Sequence, residues 1–195
     1  SPVANSGGYF VYERYKHSNG WFTNANLLAG QRYNLLYNLG IGGIKSDELY
    51  PFLYLYILPR MPRFVACMLG MNDVYAGDYT LSEIKTYQRA IFDWVVDNGM
   101  TPIIMTCPPR NSGSTGWTTA KFAKHLQMVD WQKAVSRELG CPLVDSWRAH
   151  DGTGTYASST DAEADPSTTY VPDGVHPGNV GGYALGAEFH RVISP

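Results

Sequence analysis

The stretch that decides the fold is residues 65–74, Val-Ala-Cys-Met-Leu-Gly-Met-Asn-Asp-Val. Its first five residues are apolar, and with Phe64 before them they have the length and composition of a strand buried on both faces. Gly70 ends the apolar run, and the polar pair Asn72 and Asp73 follows it. This pattern is typical of parallel α/β sheets, in which functional side chains collect at the carboxyl ends of the strands.

Strand-like and helix-like segments alternate on both sides of this stretch, which predicts a parallel sheet covered by helices. Strands are expected at residues 33–39, 63–69, 101–106 and 142–144, and helices at residues 48–58, 80–98, 119–139 and 180–192. Ser46 is expected to cap the first of these helices, and Thr80 with Glu83 forms a capping box for the second. Residues 147–172, rich in small and polar side chains, are expected to form a long surface connection. We therefore predict a three-layer α/β sandwich with a short parallel sheet, flavodoxin-like in style.

The bulk properties describe one ordinary globular domain spanning residues 1–195. The net charge is −2 and Lys and Arg form no run, so neither nucleic acid nor an anionic membrane is indicated as a partner. The apolar stretches are too short to span a bilayer. The three cysteines, Cys67, Cys107 and Cys141, are widely spaced and show no paired metal-ligand spacing. They are predicted to be buried free thiols, and no metal site or cofactor is expected.

Two further junctions carry residues suited to chemistry. The glycine turn Gly40-Ile41-Gly42-Gly43 follows a predicted strand, where glycines let backbone N–H groups approach a ligand, although a simple tight turn explains it equally well. The second is Asp173-Gly174-Val175-His176-Pro177, before the last helix. An Asp three residues before a His can orient the imidazole, which leaves the other ring nitrogen to act as a base.

The order of these junctions resembles that of the SGNH (GDSL) hydrolases. Residues 37–43, Tyr-Asn-Leu-Gly-Ile-Gly-Gly, followed by Ser46, resemble block II of that family, and residues 65–74 resemble block III. Residues 172–179, Pro-Asp-Gly-Val-His-Pro-Gly-Asn, resemble block V, and residues 21–28 resemble the helix that precedes block II. The resemblance runs from about residue 21 to the end of the chain.

The resemblance implies a role for each matching residue. His176 would be the general base that takes the proton of a serine nucleophile, and Asp173 would hold its tautomer. Asn72, through its side-chain amide, and Gly43, through its backbone N–H, would stabilise the oxyanion, with Gly42 as the neighbouring choice in the turn. Asp73 is expected to support the loop and not the chemistry.

Block I of the family, an apolar strand followed by Gly-Asp-Ser, is absent from this sequence. The serines upstream of block II are Ser1, Ser6 and Ser18, and the only candidate for a preceding strand is the polar segment Tyr9–Tyr12. Either that segment is an unusual first strand and one of these serines is the nucleophile, or the true strand and the nucleophile lie upstream of residue 1. We favour the second alternative, in which the domain is incomplete at its amino end. The chain as given is then expected to have little or no activity.

These features together predict an SGNH-type serine esterase that hydrolyses carboxylic esters through an acyl-enzyme, without metal or cofactor. The partner is expected to be a small-molecule or carbohydrate ester; the family and the abundance of Tyr and Trp favour carbohydrate O-acetyl esters. The alternative is a non-catalytic module that binds a glycan or a protein on an SGNH scaffold lacking the nucleophile. A secreted, cell-surface or virion-associated location is favoured over a cytoplasmic one, and the oligomeric state stays open.

Overall fold

The computed structural model describes residues 20–110, 116–150 and 176–194. The described α-helices are α1 (Trp21–Leu28), α2 (Ser46–Phe52), α3 (Met71–Ala76), α4 (Leu81–Asp97), α5 (Thr119–Leu139), α6 (Ser146–His150) and α7 (Asn179–Ile193). A π-helix (Leu53–Ile57) and a 3₁₀-helix (Leu58–Arg60) continue the chain after α2. The strands are β1 (Phe64–Met68), β2 (Thr101–Met105) and β3 (Leu143–Val144). None of the helices in these ranges is long and apolar enough to cross a membrane.

The three described strands form one parallel sheet in the order β1-β2-β3. Cys67 of β1 lies opposite Ile104 of β2, which in turn lies opposite Leu143 of β3. Because all three strands run in the same direction, residues 69–73 and 106–110 follow the strands at one edge of the sheet. The predicted short parallel sheet is confirmed, and this edge gathers the polar junctions.

Helices cover both faces of the sheet, as a three-layer α/β sandwich requires. On one face, Cys67 and Ile104 pack against a cluster from α2, α4 and α5 that includes Leu49, Phe92 and Val135. On the other face, side chains of β2 and β3 pack against α1 and α7, through Ile103, Met105, Val144, Ala25, Leu185 and Phe189. Helices α1 and α7 cross so closely that a Cβ on Gly186 would lie 2.5 Å from the backbone oxygen of Trp21. The predicted three-layer architecture is confirmed.

The capping box before α4 is confirmed, because the Thr80 hydroxyl accepts a hydrogen bond from Glu83 N–H and the Glu83 carboxylate accepts one from Thr80 N–H. The cysteine prediction holds for the thiols, since all three are free, although only Cys67 and Cys107 are fully buried and Cys141 is half-buried. Burial raises the pKa of the Cys67 thiol to about 12, as expected of an inert core cysteine.

Three local predictions are wrong. Residues 33–39 form no strand, because none of the described strands pairs with them, and Leu36 remains 48% exposed. Ser46 is the first residue of α2 and not its cap, which is Lys45. The expected surface connection does not begin at residue 147, because α6 runs to His150 and buries Trp147. For Ser46 and Trp147, tertiary contacts outweigh a local sequence pattern.

Candidate active site

One large cleft, which extends from the carboxyl ends of β1 and β2 along β1 to the end of α7, includes three of the predicted site residues in its lining. Gly43, Asn72 and His176 all line this cleft, which has a volume of about 1940 Å³ and continues along β1. The volume exceeds the roughly 300–1,000 Å³ of a typical small-molecule site. The cleft is therefore both a site at the strand ends and a groove beside β1.

The glycine turn and the Asn72 loop are joined directly. The Asn72 side-chain amide donates a hydrogen bond to the Ile44 carbonyl oxygen at 2.9 Å. This contact determines the orientation of the amide, because a carbonyl oxygen can be paired only with the NH₂ group and not with the amide oxygen. An Asn NH₂ group carries two donors, and the Ile44 carbonyl accepts from one of them.

The neighbouring carboxylate faces α2. Asp73 is 1% exposed, and it accepts one hydrogen bond from the Ser46 backbone N–H at 3.0 Å and another from the Ser46 hydroxyl at 3.1 Å. Burial raises the pKa of the Asp73 carboxyl, and the two bonds from Ser46 oppose that rise. The prediction that Asp73 supports the loop agrees with these contacts, which take both carboxylate oxygens inward.

Gly70 provides the sharp turn that places Asn72 directly after β1. Its φ of +109° is unfavourable for residues with a side chain, and a Cβ there would lie 2.3 Å from the Met128 sulfur. Behind the turn, the Gln132 amide donates to the Leu69 carbonyl and accepts from Cys107 N–H, at 3.1 and 3.2 Å. One buried side chain on α5 therefore ties together the segments that follow β1 and β2.

An aromatic and cationic wall borders the cleft and was not predicted. Arg110, which is 7% exposed, holds its guanidinium 4.6 Å from the Tyr75 ring centroid and 4.9 Å from that of Trp117. Arg110 and Tyr75 line the cleft together with Asn72. No local pattern predicts this wall, because Tyr75 is distant along the chain from Arg110 and Trp117.

A buried histidine lies behind this wall. His125 is 0% exposed, and its ring lies edge-on to Trp117 and Trp147, with ring centroids 5.6 and 5.3 Å apart. Burial lowers the pKa of the His125 imidazole to about 3, so it is neutral at physiological pH. This histidine does not line the cleft, so it belongs to the packing behind the site.

The remaining predicted site residues lie outside the described ranges. These are Asp173, the expected partner of His176, and the upstream serines Ser1, Ser6 and Ser18. The contact between Asp173 and His176 and the position of the nucleophile therefore stay predictions. The described part of the site consists of a half-buried His176, the glycine turn and the Asn72 amide. No described residue is assigned as the nucleophile.

Comparison with known families gives one match over most of the chain. Residues 5–185 match the GDSL-like lipase/acylhydrolase family. Among curated proteins, the chain is 26% identical over 192 residues to an uncharacterised lipoprotein, YqeF, of Bacillus subtilis (strain 168). That match covers 87% of this chain and 77% of the lipoprotein.

Solved structures show the same fold. The acetyl xylan esterase AlAXEase superposes with a TM-score of 0.71 at 17% identity, covering 90% of this chain and 91% of that one. An acetylxylan esterase from Geobacillus stearothermophilus gives 0.68 at 20% identity, covering 90% and 81%. A G-D-S-L family protein from Desulfitobacterium hafniense DCB-2 gives 0.70 at 16% identity, covering 96% and 95%.

Proposed function

Because the chain belongs to the GDSL-like lipase/acylhydrolase family and is thereby an ester hydrolase, we propose that it cleaves carboxylic esters through an acyl-serine intermediate. The observation that carries this proposal is the shared cleft of Gly43, Asn72 and His176, which come from three separate parts of the chain. A base and two oxyanion donors around one space are what acyl transfer requires.

In the proposed reaction, His176 takes the serine proton as the hydroxyl attacks the ester carbonyl. Asp173 orients the imidazole and stabilises its protonated form. The carbonyl oxygen becomes an oxyanion that accepts hydrogen bonds from Gly43 N–H and from the Asn72 amide. His176 then returns the proton to the leaving alcohol. In the second half of the reaction, His176 takes a proton from water as the water attacks the acyl-serine, and it returns that proton to the serine oxygen as the acid leaves.

The nucleophile is proposed to lie upstream of residue 1, on a strand that enters the groove beside β1. Two features of the described chain support this position. Phe64 of β1 is 41% exposed although it lies in an apolar strand, and the cleft runs along β1 from the site. A further strand would cover these side chains and pair with the edge of β1 that no described strand occupies.

Carbohydrate O-acetyl esters are the proposed substrate class. Two of the structural relatives are acetylxylan esterases by name, and the cleft offers aromatic side chains beside the proposed oxyanion site, including Tyr75. Aromatic rings provide an apolar surface with a polar edge, which suits a sugar ring. The lipoprotein among the relatives supports the proposal of a secreted or cell-surface location.

The test compares the chain as given with a form extended upstream by an apolar strand and Gly-Asp-Ser. Hydrolysis of an aryl acetate and labelling by a serine-directed fluorophosphonate are measured for both. We expect activity and labelling in the extended form and little of either in the short form. Acetylated xylo-oligosaccharides and a long-chain aryl ester then test the substrate class, with faster turnover expected for the acetyl esters.

The outcomes separate the alternatives. Strong labelling of the short form would show that its nucleophile is already present, and mapping the label would choose among Ser1, Ser6 and Ser18. If both forms fold but neither is labelled nor hydrolyses an ester, the esterase proposal is wrong. The non-catalytic binding module would then be the better interpretation.

Asn72→Ala tests the oxyanion role within an active form. Removal of one oxyanion donor is expected to lower kcat by about 10²–10³-fold, or roughly 3–4 kcal/mol of transition-state stabilisation. Folding should change little, because Asn72 is only partly buried and makes a single hydrogen bond to Ile44. Unchanged hydrolysis of an aryl acetate by the variant would reduce Asn72 to a turn residue.

A further inference from the structure

Three hydrogen bonds fasten the glycine turn to the Asn72 loop. They run from Asn72 to the Ile44 carbonyl, and from the backbone and hydroxyl of Ser46 to the two oxygens of Asp73, at 2.9, 3.0 and 3.1 Å. Ser46 and Asp73 are 2% and 1% exposed, so water does not compete for their contacts. The adjacent α3 residues Asn72 and Asp73 therefore bind Ile44 in the turn and Ser46 at the start of α2.

The proposed oxyanion donors lie at the two ends of this connection. Gly43 directly precedes Ile44, and its φ of +80° belongs to the turn that the connection holds in place. Asn72 directly precedes Asp73. The separation of the Gly43 N–H from the Asn72 amide therefore depends on these contacts. Displacements of about 1 Å in an active site can cost about 10²-fold in rate.

We infer that Ser46 and Asp73 act as a pair of positioning residues that set the distance between the Gly43 and Asn72 donors. This inference rests on the proposed function only for its effect on catalysis; the structural coupling stands on the hydrogen bonds alone. Both residues border the cleft, but the Ser46 hydroxyl and both carboxylate oxygens of Asp73 are engaged with each other, so the pair acts without hydrogen-bonding the substrate.

The chain offers a matched control for the loss of a buried serine hydroxyl. Ser136 is 4% exposed, and its hydroxyl donates to the Cys141 carbonyl at 2.8 Å. Ser136 does not line the cleft. Ser46→Ala and Ser136→Ala should both lower thermal stability, since each removes one buried hydroxyl and one hydrogen bond to its partner, and the loss should be larger for Ser46→Ala because its partner is a carboxyl group. Only Ser46→Ala should change the site.

In the form that hydrolyses an aryl acetate, Ser46→Ala is expected to lower kcat by about 10- to 100-fold with little change in KM. Asp73→Ala should have at least the same effect. Asp73→Asn should retain most activity, because its amide can accept from Ser46 N–H and donate to the Ser46 hydroxyl. Ser136→Ala should keep the parent kcat.

A double-mutant cycle distinguishes positioning from general stability. If Ser46 acts through the oxyanion donors, Ser46→Ala should lower kcat by less than about twofold in a chain that already carries Asn72→Ala. An equal loss in both backgrounds, or an unchanged kcat in the Ser46→Ala single variant, would overturn the inference.

A second measurement does not depend on activity. Hydrogen exchange of the backbone amides of residues 41–46 should be at least tenfold faster in Ser46→Ala than in the parent, and unchanged in Ser136→Ala. Equal exchange in all three chains would overturn the coupling even if the esterase proposal holds. Faster exchange in a chain without esterase activity would support the coupling and reject the proposed function.

Discussion

β1 and β2 are neighbours of equal length with similarly apolar sequences, yet they have different environments. The β2 residues Ile103, Ile104 and Met105 are each no more than 1% exposed. In β1 only Cys67 is buried, while Phe64 is 41% exposed. The difference follows from position, because β2 lies between β1 and β3, whereas β1 pairs only with β2 among the described strands.

This contrast shows that apolar composition predicts a strand but not the extent of its burial. The apolar composition of β1 predicted burial on both faces, and the structure corrects that expectation for the described chain. The exposed side of β1 faces the groove into which we propose that the nucleophile-bearing strand enters. If exposure determines stability here, a substitution in β2 should lower the free energy of unfolding more than a substitution in β1.

The largest effect is expected in β2. Ile104→Ala should lower the free energy of unfolding by about 3–4 kcal/mol, because Ile104 is 0% exposed and its removal leaves a cavity in the main core cluster. Urea denaturation measures this loss, and the slope of the unfolding free energy against urea concentration should not change. The control Val96→Ala, at a residue 43% exposed on α4, should cost less than about 0.5 kcal/mol. Similar losses in both variants would mean that burial at these positions does not govern their contribution to stability.

Burial of His125 should also make the free energy of unfolding sensitive to acid. The folded-state pKa of His125 is about 3, below the ordinary 6.5, because burial disfavours its charged form. As the pH falls below 6.5, the unfolded chain binds a proton that the folded chain does not, so stability is lost toward pH 3 at about 1.4 kcal/mol per pH unit. Between pH 6.5 and 5 this amounts to about 2 kcal/mol.

Urea denaturation at these two pH values should therefore separate the parent from His125→Gln, in which position 125 cannot titrate. The variant should lose about 2 kcal/mol less than the parent over this interval. His150, whose pKa is also lowered by burial, contributes in both chains and cancels in the comparison. Identical pH dependence would show that His125 is accessible to protons in the folded chain.

The smallest effect is expected in β1. Phe64→Ala should cost only about 1 kcal/mol in the chain as given, which is the scale of its contact with the Arg63 guanidinium 5.0 Å from the ring. In the extended form the same substitution should cost about 3 kcal/mol or more, as for a buried phenylalanine. An equal cost in both forms would mean that the added strand does not cover β1.

The site was predictable from sequence to the extent that its residues lie in short motifs. Gly43, Asn72 and His176 stand in local patterns that the sequence displays, and all three line one cleft. The contact between Ser46 and Asp73 was less accessible, because serine before a helix predicts a cap by local rules. The bonds to Asp73 replaced that role through a contact 27 residues away along the chain. The Arg110 wall has no local pattern at all.

The sequence by itself determined the parallel α/β architecture, the glycine turn that follows β1 and the family to which the chain belongs, because these depend on periodicity, glycine and short motifs. Only the tertiary structure decided which of those elements bury their side chains and which polar groups meet. Burial and long-range hydrogen bonds depend on what lies beside an element in space. Residues 33–39 show the difference, since an apolar segment becomes a strand only where another strand can accept and donate its backbone hydrogen bonds.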